Sequence, residues 1–158
     1  MQTFTMLGGL PGAGKSTHIQ TMLRAGTYFV ISPDDIRAMS IGGNYGEYEF
    51  NAANEELTWE IAEDMFVSAA SAGKSIILDG TFMGQRTRTS WVKLAIKFDM
   101  YSTYNYIDTP IETCIARRKR DNKNSPKTDW ESIIKRMASS YEDANLDVIK
   151  FDKVIVKE

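Results

Sequence analysis

Short apolar runs alternate with longer stretches of three-to-four periodicity along the whole chain. Residues 3–7, 28–32, 75–79 and 101–107 are brief and rich in apolar and β-forming side chains, and 153–156 makes a fifth such run. Each predicts a strand. Between them lie helical patterns. Ile19, Met22 and Leu23 share a face over 16–24, which Gly26 stops. Pro33 followed by Asp34 and Asp35 opens a short helix through Ile36, Arg37 and Met39. Phe50, Asn54, Leu57, Ile61 and Met65 predict the inward stripe of a helix over 50–72, with Glu55, Glu56, Glu60, Glu63 and Asp64 on a solvated face and Gly73 as its stop. Trp91, Leu94, Ala95 and Phe98 point inward from a helix over 85–98. Thr109-Pro110-Ile111-Glu112 reads as a capping box, opening a helix that runs through Cys114 and Ile115 into Arg117, Arg118, Lys119 and Arg120. A last helix starts at Thr128, with Trp130, Ile134, Met137 and Tyr141 on one face.

Strands alternating with helices predict an α/β domain whose mostly parallel sheet is covered on both faces. With 158 residues, one domain spanning 1–158 is expected. No repeat, linker or low-complexity tract divides it, and the polar, breaker-rich stretch over 121–127 is the candidate mobile segment. A formal net charge of −2 argues against a protein that coats long duplex DNA but leaves room for a local basic funnel. The single cysteine, Cys114, cannot form an internal disulfide, and the first strand starts at once, so a reducing cytoplasm without a signal peptide is expected. No run approaches the ~20 apolar residues of a membrane span, so no membrane partner is expected.

Gly9-Leu10-Pro11-Gly12-Ala13-Gly14-Lys15-Ser16, with Thr17 behind it, fits G-x-x-x-x-G-K-[ST] between a strand and a helix. That is the arrangement of a phosphate-cradling P-loop, which points to a P-loop NTPase. Glycines let backbone N–H groups turn onto a phosphate without a Cβ in the way. Lys15 puts a charge on the outer phosphates, the Ser16 hydroxyl can ligate Mg²⁺, and the helix adds its positive dipole end. The nucleotide contacts expected are Gly9, Pro11, Gly12, Ala13, Gly14, Lys15, Ser16 and Thr17, with ATP or GTP and Mg²⁺ as the ligands.

In an open parallel sheet, ligands gather beyond the carboxyl ends of the strands. There the chain carries Asp34, Asp35 and Arg37 after the second strand and Asp79-Gly80-Thr81 after the third. Phosphoryl transfer needs groups of this kind: one to orient or deprotonate an acceptor hydroxyl, one for the metal, and cations for the transferring group. Asp34 is the candidate general base, while one of Asp34 and Asp35 is expected to cap the helix. Arg37, one turn on, can face the same way as Asp34. Asp79 ends an apolar strand as a Walker-B acid does and is the candidate metal group beside Ser16. The cations over 117–120 exceed what a helix C-terminus needs, so a catalytic arginine is expected among them, in a lid over 117–128. Arg86 and Arg88 could meet an acidic acceptor or simply be solvated. His18, Cys114, Trp59, Trp91 and Trp130 read as packing residues, and Tyr45 and Tyr48 as loop anchors or a base-stacking pair.

The ordered set of G-x-P-G-x-G-K-S-T, Asp-Asp-x-Arg, Asp-x-Thr and an arginine-rich lid resembles the bacteriophage polynucleotide kinase family, across its kinase domain and including Trp91 and Pro126. The resemblance implies transfer of the γ-phosphate of a nucleoside triphosphate to a 5′-hydroxyl end of single-stranded DNA or RNA, and a five-stranded sheet is expected in the order 2-3-1-4-5. It carries the base to Asp34, an acceptor-side arginine to Arg37, phosphate contacts to Lys15 and Ser16, and metal support to Asp79. The transition-state arginine falls on Arg120, with Arg117 as the alternative; Thr81, Arg86 and Arg88 stand on the acceptor side. Thr81 stands where that family often has asparagine. No D-x-D motif is present, so no 3′-phosphatase activity is expected. A kinase of a mononucleotide or small metabolite uses the same elements and stays open. A nucleotide-dependent switch fits less well, since Asn122-Lys123-Asn124-Ser125 lacks the acid of a guanine-reading Asn-Lys-x-Asp.

Overall fold

A computed structural model describes residues 1–43, 48–121 and 128–157. The element order is β1 (Thr3–Gly9), α1 (Lys15–Ala25), β2 (Phe29–Ile31), α2 (Pro33–Ser40), α3 (Ala52–Ser71), β3 (Ile76–Asp79), α4 (Gln85–Lys97), β4 (Tyr101–Ile107), α5 (Ile111–Asp121), α6 (Trp130–Ser139), a short 3₁₀ turn (Ala144–Leu146) and β5 (Lys153–Lys157). The strands form one parallel five-stranded sheet in the order β2-β3-β1-β4-β5. This is a P-loop kinase-like fold with the expected strand order. Tyr45, Pro126 and the stretch 122–125 lie outside the described residues, as does the middle of the expected lid, 122–127.

β1 is central because both of its faces are apolar. Phe4, Met6 and Leu7 are fully buried, and Phe4 meets Phe66 of α3 edge-on at 5.2 Å. β4 is buried on both faces over its second half rather than alternating, since β1 and β5 flank it and helices cover it. The carboxyl ends of β1 and β3 are stitched together: Gly80 N–H donates to the Leu7 carbonyl and Gly9 N–H to the Thr81 carbonyl, each at 3.1 Å. That stitch sets the P-loop beside Asp79.

Two helices depart from the periodic reading. On α3 the buried face is Thr58, Ala62, Phe66, Ala69 and Ala70, while Phe50 and Leu57 are exposed. Small residues let the helix approach the sheet closely, and the bulkier Ile61 and Met65 fall on its flank beside Phe29, lining a surface groove. At α5 the capping box does not form. The Thr109 hydroxyl instead donates to the Ala13 carbonyl at 2.7 Å, tying the start of that helix to the P-loop.

Candidate functional site

The P-loop closes β1 onto α1. Gly12 and Gly14 hold φ of +82° and +101°, in the left-handed region, where a side chain is strained. Gly14 precedes α1 without giving it a side-chain cap, so the first N–H groups of that helix are available to an anion. Lys15 Nζ donates to the carbonyls of Gly9 at 2.8 Å and Leu10 at 3.0 Å. Burial pushes the Lys15 ammonium down to about 8, with Arg118 adding to the drop and Asp79 and Asp34 opposing it. A cation this desolvated gains strongly from an arriving polyanion.

Asp79 answers it from β3. Its Oδ1 is buried and has no hydrogen-bond partner. Burial raises the carboxyl above its ordinary value, Lys15 pulls it down, and Asp34 and Asp35 raise it further. A buried carboxylate oxygen without a donor is costly unless a cation satisfies it. Asp79 and Ser16, the latter at the exposed start of α1, therefore fit Mg²⁺. Mg²⁺ commonly takes one or two protein groups and fills its remaining positions with water and phosphate.

Asp34 stands at the first turn of α2. The cap of that helix is neither acid: Ser32 accepts from Asp35 N–H at 3.3 Å. Asp34 is thereby left to Arg37, whose Nη1 donates to its Oδ1 at 2.8 Å, with the Asp34 side chain 63% exposed. The mutual influence of Asp34, Lys15 and Asp79 puts the three charges in one electrostatic neighbourhood. Arg37 itself is committed inward. Its Nε and Nη2 donate to Glu55 at 2.9 and 2.6 Å, and its guanidinium lies against the rings of Phe50 and Trp59. One N–H on each terminal nitrogen remains for an acceptor. Tyr48 anchors the far side by donating to Glu55 at 2.8 Å. Glu55 is the residue sequence reasoning missed: its acid looks like any other on a solvated helix face.

The basic run on α5 divides. Arg117 Nη1 donates to the Gly12 carbonyl at 3.1 Å, so it touches the P-loop. Arg118 lies over the Trp130 ring at 4.9 Å. Arg120, the residue to which the resemblance assigned the transition state, is 68% exposed and paired with Asp121 at 3.0 Å. The positions next to the loop thus belong to Arg117 and Arg118. Lys119 pairs with Glu131 across α5 and α6.

On the acceptor side, the Thr81 carbonyl is spent on Gly9 and its side chain is half-buried. Arg86 is exposed. Arg88 cannot meet an acceptor. It is fully buried, and all five of its N–H groups are used: Nε and Nη2 to Asp147, Nη1 to the Phe82 and Met83 carbonyls, and Nη2 again to the Glu142 carbonyl. It anchors the segment leading into β5. His18 approaches Asn105 at 3.4 Å, and Cys114 is buried, as packing residues.

Residues 4–144 match the family described as AAA domain. The chain belongs to that family. No curated protein sequence matches it significantly. Among solved structures, this AAA domain is similar to a chain of the Pnkp1/Rnl/Hen1 RNA repair complex, at 21% identity and a TM-score of 0.77, over 88% of its own length and 43% of that chain. It is also similar to the APS kinase CysC of Mycobacterium tuberculosis, at 16% identity and a TM-score of 0.65, over 98% of its length and 88% of that chain. A chain of the PezAT toxin–antitoxin system of Streptococcus pneumoniae aligns at 18% identity and a TM-score of 0.70, over 99% and 68%. These likenesses show the fold of a P-loop kinase. No described helix is long and apolar enough to cross a membrane.

Proposed function

We propose that this AAA domain transfers the γ-phosphate of a nucleoside triphosphate to the 5′-hydroxyl end of DNA or RNA. The observation that carries the reading is the Asp34 carboxylate, released from capping by Ser32, held by Arg37 and sharing the field of Lys15 on the P-loop. A kinase base needs that placement: an acid at the rim, open to an incoming alcohol and near the terminal phosphate.

In this reading Lys15 leaves the Gly9 and Leu10 carbonyls and turns its ammonium onto the β- and γ-phosphates. The N–H groups of the loop and of α1 cradle the remaining phosphate oxygens. Asp34 accepts or orients the proton of the acceptor hydroxyl, whose oxygen attacks the γ-phosphorus in line. Mg²⁺, held by Ser16 and Asp79, would supply charge neutralisation between the phosphates. Arg117 stands next to the loop to offset charge on the transferring group. Similarity to a chain of an RNA repair complex supports a polynucleotide acceptor.

A second reading, a kinase of a small metabolite, has one observation in its favour. This chain spans 88% of the APS kinase it resembles but 43% of the repair-complex chain. An acceptor screen with labelled ATP separates the two, offering 5′-hydroxyl DNA, 5′-hydroxyl RNA, mononucleotides and adenylyl sulfate side by side. Label on the oligonucleotides alone, with binding that weakens with salt at a slope of ~−0.7 per phosphate contacted, supports the first reading. Label on a small acceptor alone contradicts it.

A further inference from the structure

Helix α5 lies so close to the P-loop that a Cβ on Gly12 would sit 2.7 Å from the Cys114 carbonyl oxygen and 3.3 Å from Arg118 Cγ. The stem of Arg118 therefore lies against the P-loop at Gly12. Arg118 is also the one half-buried arginine among the described residues without a hydrogen bond or an ion pair. Arg37, Arg88 and Arg117 all donate to acceptors within the protein. Arg118 Nε is shut off from solvent with no partner. What holds the side chain is the Trp130 ring at 4.9 Å. Trp130 in turn buries its Nε1 without an acceptor, at a cost that a purely structural tryptophan seldom bears. The charge of Arg118 adds to the depression of the Lys15 ammonium, so the two cations share one neighbourhood at the loop.

We propose that Arg118 is a second α5 cation, beside Arg117, that binds the outer phosphates of the triphosphate, and that Trp130 is its positioning residue, an aromatic platform that holds the guanidinium beside the P-loop. The inference rests on the P-loop of this chain binding a triphosphate, as the proposed function requires. The other arginines have protein acceptors to satisfy them; the acceptor of Arg118 is the ligand. A cation stacked on an indole keeps its N–H edge free for phosphate oxygens, and the stack spares it the entropy of a long free side chain. Trp130 reaches this position because α6 packs along α5 with Ile134 fully buried beneath it.

Calorimetric titration of ATP and AMP into wild type, Lys15→Met, Arg118→Gln, Trp130→Phe and Trp130→Ala tests this, with melting temperature recorded for each. Arg118→Gln is expected to weaken ATP binding roughly 10- to 100-fold, the span of a lost charge-assisted contact, and AMP binding several-fold less. Trp130→Phe keeps the platform and removes the orphan N–H, so it should bind ATP within about 3-fold of wild type, while Trp130→Ala loses about 10-fold. Arg118→Gln binding ATP as wild type does, while Lys15→Met does not, overturns the assignment and leaves the triphosphate reading intact. Trp130→Phe binding as poorly as Trp130→Ala overturns the platform role. Wild type that binds no ATP overturns both this inference and the reading beneath it. Should Trp130→Ala fail to fold, the Arg118→Gln and Trp130→Phe pair decides.

Discussion

Arg37 grips Glu55 with two hydrogen bonds, Nε to Oε2 at 2.9 Å and Nη2 to Oε1 at 2.6 Å, and with its third nitrogen holds Asp34 at 2.8 Å. Burial works against both partners of the grip. Yet the Arg37 contact holds the Glu55 carboxyl below its ordinary value, and Glu55 and Asp34 hold the guanidinium above its own. Glu55 thus acts on the rim acid from one side chain away. A residue of α3 steers a residue of α2.

Glu55→Gln should loosen Arg37 and, through it, Asp34. The expected result is a fall in kcat of roughly 10- to 100-fold, the range for a catalytic group displaced by about 1 Å, with the KM for triphosphate unchanged. Stability should drop by about 1–3 kcal/mol, as for a lost hydrogen bond to a charged group. Steady-state kinetics alongside urea denaturation check both.

Lys15 gives a pH dependence with a definite sign. Its ammonium sits at about 8 in the free protein against an ordinary 10.5. Between those values the unfolded chain holds a proton that the folded one lacks, so the stability of the ligand-free protein should rise with pH across the window. A bound polyanion raises the Lys15 value again, so binding takes up a proton there. ATP affinity should fall by up to about tenfold per pH unit above 8. Calorimetry at pH 9 in two buffers of different ionisation enthalpy reads the proton directly, and Lys15→Met should abolish the difference.

Arg88 and Asp147 are a buried pair, at 0% and 1% side-chain exposure. Arg88→Met leaves Asp147 buried without its counter-charge, at a cost of about 3–5 kcal/mol. Denaturant unfolding should show that loss. Under native conditions the KM for the acceptor should stay near wild type, whereas a residue in the acceptor site would raise it.

Gly12 carries two constraints at once, a φ of +82° and the Cys114 carbonyl 2.7 Å from where a Cβ would stand. Gly12→Ala should cost about 1–2 kcal/mol in backbone strain alone. It should also push α5 off the loop, lowering ATP affinity more than that strain does. Thermal melts with and without ATP separate the two effects.

Local chemistry explains what was legible in the sequence. The P-loop and the acids at the strand ends announce themselves, because glycine, lysine and aspartate are needed there by backbone geometry or by charge, whereas the strand order came with the family resemblance. What escaped notice depends on contacts between residues far apart in the chain. Arg88 reads as a surface or acceptor cation in the sequence because its partner, Asp147, stands 59 positions on. Glu55 and Trp130 read as solvated face and packing, since nothing nearby in sequence marks Arg37 or Arg118 as their partners. On α3 the large apolar residues traced a stripe, but small ones faced the sheet, because closeness of approach outweighed bulk. At α2 a serine took the cap, and that left Asp34 available.

The account turns on Asp34 as the group that readies an alcohol for the γ-phosphate. Its most direct measurement is transfer of label from γ-labelled ATP to a 5′-hydroxyl oligonucleotide by wild type and Asp34→Asn, with ATP affinity measured on the same samples. Asparagine keeps the size and the contact to Arg37 but cannot take the proton. The expected result is ATP affinity within about 3-fold of wild type and a transfer rate lower by roughly 10²–10⁴-fold, the contribution of a positioned general base. Transfer by Asp34→Asn within a few-fold of wild type would contradict it.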